Sequence, residues 1–63
     1  MIQIGDVVQF NEKHKWTGVL GIVEEINRER ILVGVPAPEE GTAYIHCKKE
    51  NVERVGEAIF IAK

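Results

Sequence analysis

Apolar and polar positions alternate along most of this chain, and the alternation has the period of a strand rather than a helix. Val7-Val8-Gln9-Phe10 predicts a first strand with Val8 and Phe10 on one face, the face assigned to the core. Asn11-Glu12-Lys13-His14-Lys15 breaks the pattern and predicts a polar loop. From Trp16 to Val35 the sequence reads as a bent hairpin, with Asn27-Arg28-Glu29-Arg30 as its turn. A helix competes for the first half of this stretch, because Val19, Ile22, Val23 and Ile26 fall at i, i+3, i+4 and i+7. Gly18 and Gly21 oppose it, since each costs a helix about 1 kcal/mol relative to Ala. The β-branched residues also favour a pleated sheet. Strict alternation would put Val23 and Ile26 on opposite faces. A β-bulge near Glu24-Glu25 restores the register and bends the strand.

Past the hairpin, Pro36 to Gly41 reads as a stiff loop whose closing glycine permits a positive φ. Gly34 leaves a position with no side chain, open to close approach by another backbone or a large ring. Thr42–Cys47 predicts a strand with Ala43, Ile45 and Cys47 inward and Thr42, Tyr44 and His46 outward. A single 3₁₀ turn is expected over Lys48–Val52 and a short closing strand over Glu53–Gly56. Ile59, Phe60 and Ile61 are then left over. Either they pair with Ile2–Ile4 in an extra terminal ribbon of a monomer, or they join the sheet edge of a second copy to make a dimer. The ribbon is preferred, because Ile2 and Ile4 also lack a partner and association carries no concentration cost there.

With 63 residues the chain is expected to form one all-β domain spanning 1–63. Five short strands with a 3₁₀ turn before the last predict a small SH3-like barrel. The residues themselves strengthen this. Gly5-Asp6-x-Val8, then Gly18-x-x-Gly21-x-Val23-x-x-Ile26, then Val33-x-Val35, resembles the KOW motif of small SH3-like barrels across roughly the first half of the chain. The resemblance implies that the glycines permit a tight lead into the second strand and that the Val and Ile positions fill the barrel. It also implies a setting in ribosomal or transcription-elongation assemblies, or a role as a protein-binding module. Loops of this family are basic and glycine-rich, whereas here the loop reads Asn11-Glu12-Lys13-His14-Lys15-Trp16.

Charge and chemistry narrow the choice. The formal net charge is −2, with both signs interspersed, which disfavours a role resting on phosphate contacts alone. The single Cys47 makes no internal disulfide, and a cytoplasmic setting is expected. No secretory leader or membrane-spanning segment is read from the sequence. No P-loop, GxGxxG, HExxH or CxxC is present. His46 and Cys47 are strand neighbours and point to opposite faces, so they make no nucleophile–base pair. His14, His46 and Cys47 lack the spacing and the fourth ligand of a metal site. Glu24-Glu25 and Glu39-Glu40 are read as solvated acids.

The expectation is therefore a non-catalytic binding module without cofactor or metal. Two clusters are its candidate site. Trp16, Tyr44 and His46 gather into an exposed aromatic patch if the first loop leans over the sheet; otherwise Trp16 closes one end of the core and Tyr44 covers a neighbour. Lys13 and Lys15, with His14 beside them, converge with Lys48 and Lys49 into a basic patch, or else stay solvated beside Glu12 and Glu50. A protein partner is the leading expectation. A KOW-type nucleic-acid or ribonucleoprotein accessory is the alternative.

Overall fold

The computed structural model describes residues 2–39 and 41–57. Five strands form: β1 (Asp6–Phe10), β2 (Leu20–Ile26), β3 (Arg30–Ala37), β4 (Gly41–Lys48) and β5 (Val52–Glu57). A 3₁₀ turn, Lys49–Asn51, joins the last two. All pair antiparallel in a single sheet of order β4-β3-β2-β1-β5. Among the described residues the sheet is not closed into a ring, and β4 and β5 are its two edges. The expected ribbon or dimer through Ile59–Ile61 lies outside the described residues.

The hairpin of β2 and β3 carries the expected bulge. Val23 pairs with Val33 and Glu25 with Leu32, so Glu24 has no partner of its own. The extra residue returns Ile26 to the side of Val23, opposite Ile31. Without it the half-buried Ile26 would leave the core it packs against. A second irregularity lies in β5. Val7 pairs with Gly56 and Val8 with Arg54, leaving Val55 bulged out and exposed.

One face of the sheet holds the core: Val8, Phe10, Val23, Ile31, Val33, Val35, Cys47 and Val52 are all buried. Alternation in β4 is as expected, with Cys47 buried, Ala43 and Ile45 half-buried, and Thr42, Tyr44 and His46 exposed. Gly21 is where β2 and β3 approach closely. A Cβ there would run into the Val33 side chain and lie 2.9 Å from the Gly34 carbonyl oxygen. Gly34 is not met by a backbone or a ring. The bulged Glu24 side chain and the Thr42 methyl lie over it, and a Cβ would come within 2.9 Å of the Glu24 carboxylate.

Candidate binding surface

The first loop is held by its own turns and by one distant element. The His14 N–H donates to the Asn11 carbonyl at 3.0 Å, that of Thr17 to His14 at 3.1 Å, and that of Val19 to Trp16 at 3.0 Å. These tight turns fold His14 and Trp16 back over the end of the core. The His14 ring lies 4.5 Å from that of Phe10, and its Nδ1 accepts the Trp16 N–H at 3.0 Å. Trp16 meets Phe10 edge-on at 6.3 Å and is half-buried against the core cluster. Both side chains close the core, which separates them from Tyr44 and His46 on the opposite face. The structure therefore assembles no Trp16–Tyr44–His46 patch. Tyr44 is 60% exposed.

Tyr44 belongs to a different constellation. Register across four strands sets Val7, Ile22, Gly34 and Tyr44 in one row on the outer face. Leu20, 50% exposed, and Pro36 fall level with each other in the next row, on one side of it. Around Gly34 they leave a shallow groove of about 330 Å³, lined mainly by apolar atoms, with Glu24 and Thr42 as its polar members. His46 is exposed one step further along β4, opposite Leu32. The sheet thus carries apolar residues on both faces, and among the described residues only the inner ones are gathered into the core. Alternation in Leu20-Gly21-Ile22 signals this face, but neither Leu20 nor Ile22 is assigned to a face from the sequence.

The backbones at Lys13 and Lys48 meet at one side-chain amide. Asn51 Oδ1 accepts the Lys48 N–H at 2.9 Å, while its Nδ2 donates to the Lys13 carbonyl at 3.3 Å. Asn11 reinforces the junction: its N–H reaches the Asn51 carbonyl and its Nδ2 the Glu50 carbonyl, both at 2.9 Å. The loop bearing Lys13 and Lys15 is thereby fixed to the turn bearing Lys49. Arg30 lies directly opposite Lys48 on the neighbouring strand, a like-charge pairing that opposes sheet formation. Among the described residues the ion pairs belong to Arg54 alone, with Asp6 at 2.9 Å and Glu57 at 3.4 Å. The rim of Lys13, Arg30, Lys48 and Lys49 is therefore basic and exposed, interspersed with Glu29 and Glu50.

Two titrating groups are displaced. The Gln3 N–H donating to Asp6 at 2.8 Å, with Arg54 beside it, holds that carboxyl below its ordinary value against the opposing effect of burial. Burial pushes the Cys47 thiol up, which keeps it in the unreactive form. Among the described residues no three His, Cys, Asp or Glu side chains gather as metal ligands, and no helix is long and apolar enough to cross a membrane. The described residues form an all-β domain with an apolar row on the outer face of its sheet. Comparison with protein-family models, curated proteins and solved structures gave no match.

Proposed function

We propose that this chain is a non-catalytic binding module of the SH3-like, KOW-type kind, acting in the cytoplasm, and that its outer sheet face takes a protein partner. The strand order supports the SH3-like reading: the last strand follows a 3₁₀ turn and pairs with the first. The observation that carries the function is the row Val7–Ile22–Gly34–Tyr44 with Leu20 and Pro36 beside it. Contiguous apolar surface on a small domain is costly in water and marks an interaction site. Tyr44 at its margin is the residue type that anchors such contacts. The single buried thiol accords with a reducing compartment.

The basic rim favours the second reading, a nucleic-acid or ribonucleoprotein accessory, and one experiment separates the two. The tagged chain and its Leu20→Lys variant are used to capture partners from extracts of the cell that encodes them, with and without nuclease. The expected result is a defined set of proteins that survives nuclease and is lost with Leu20→Lys. Equal capture by both chains, or capture abolished by nuclease, would refute the protein-binding reading. In the latter case the lysine rim becomes the site. Leu20 is half-exposed, and both chains are checked for equal thermal stability before use.

A further inference from the structure

We propose that the chain pairs with a second copy of itself through the open edge of β4, antiparallel and centred on Tyr44. The two edges of the sheet differ in kind. β5 carries Glu53, Arg54 and Glu57 and is interrupted by the Val55 bulge, features that keep a strand edge from recruiting another. β4 has neither protection along most of its length. From Gly41 to Cys47 it contains no charge and no proline, and its register with β3 runs unbroken from Gly41 to Lys48. Its outer margin is a straight, uncharged template for one more strand.

The charges at its ends select what that strand is. In sequence, Glu39 and Glu40 precede the uncharged stretch and Lys48 and Lys49 follow it, so the pattern is antisymmetric about Tyr44. A parallel second copy would set acid against acid and lysine against lysine. An antiparallel one sets Tyr44 beside Tyr44, Ala43 beside Ile45, and Thr42 beside His46. It also brings the end of each copy that carries Glu39, just before β4, near the end of the other that carries Lys49, the first residue of the 3₁₀ turn. Directly opposed residues of an antiparallel pair share a face, so both tyrosines stand on the outer surface as a cross-strand aromatic pair. The like-charged Arg30–Lys48 pairing of a single chain gains acidic neighbours from the second copy. The contact is isologous and closes on itself, which gives a dimer rather than a fibre. It joins two five-stranded sheets into one and makes the two apolar outer faces continuous. It does not rest on the protein-partner reading, because it uses the edge of the sheet and not its face.

Edge pairing buries little area, so the association is roughly micromolar or weaker. Sedimentation equilibrium over about 1–500 µM reads it, on the parent chain and on Glu39→Lys and Lys49→Glu, which alter exposed side chains. The parent is expected to show a reversible monomer–dimer equilibrium. Each reversal sets like charges together at two symmetric positions and weakens the dimer about tenfold. An equimolar mixture of the two variants restores opposite charges at both positions and returns the parent's affinity. Tyr44→Lys, on the exposed face, abolishes the dimer while leaving the thermal midpoint within a few degrees of the parent's. A parent that stays monomeric throughout overturns the proposal. So does a dimer indifferent to both reversals, or a mixture that associates no better than its components.

Discussion

Gly21 shows how one missing side chain lets two strands approach. Val33 and the Gly34 carbonyl occupy the space a Cβ would need, and Val35 closes it from the third side at 3.1 Å. Gly21→Val is expected to cost about 3 kcal/mol or more, the upper range for forcing extra methyl groups into a packed core. A domain this size has only a few kcal/mol to lose, so the variant should be largely unfolded by circular dichroism at about 25 °C. Gly56 is the control. Nothing lies within 4 Å of the Cβ it lacks, and Gly56→Ala should stay within about 0.5 kcal/mol of the parent. At this scale the sequence was readable where parity alone decides. Val8 and Phe10 had to share a face, and Val23 and Ile26 could share one only through a bulge. Parity was silent where both faces are apolar. Leu20 and Ile22 alternate as cleanly as core residues do, and nothing local says which face the chain will cover.

Among the elements, the 3₁₀ turn joins more of the fold than its three residues suggest. Asn51 serves the Lys48 N–H and the Lys13 carbonyl with one side chain, tying β4 to the first loop across 38 residues of sequence. Asn51→Ala should lower stability by about 1–2 kcal/mol, the sum of two partly exposed hydrogen bonds. Amide hydrogen exchange locates the loss: the Lys48 N–H becomes unprotected, while Val8 and Val33 change only with global stability. No sequence pattern announces such a bond. Asn11 and Asn51 each read as ordinary loop residues, and their pairing depends on where two distant turns finish. The loop's own turns decide the fate of His14 and Trp16. Trp16 closes the core end, one of the two outcomes expected of it, and His14, read as a binding residue, is folded onto Phe10 beside it.

For the molecule as a whole, stability should depend on acid through Asp6, whose carboxylate accepts from Gln3 and from Arg54 of β5. Its folded pKa is lowered, so its contribution is fully present above the unfolded carboxyl's value near about pH 4. That contribution is lost as pH falls through the lower folded value. Denaturant titrations from about pH 6 to about pH 2 should show this decline, and Asp6→Asn should flatten it while lowering stability at neutral pH. If the substituted chain stays as pH-sensitive as the parent, other carboxylates carry the effect.

The pairing that Asp6 secures also orders events in time. β2, β3 and β4 each meet a neighbour made just before them, but β1 and β5 join residues far apart in sequence, such as Phe10 and Val52. Closing so long a loop is entropically costly and is repaid only when both strands exist. On a ribosome, where the chain emerges from its N-terminal side, the β1–β4 meander therefore waits with one flank of β1 bare. Val52 completes the burial of Phe10 only once β5 has been synthesised, so this sheet and its core are not complete before that strand is available to pair with β1.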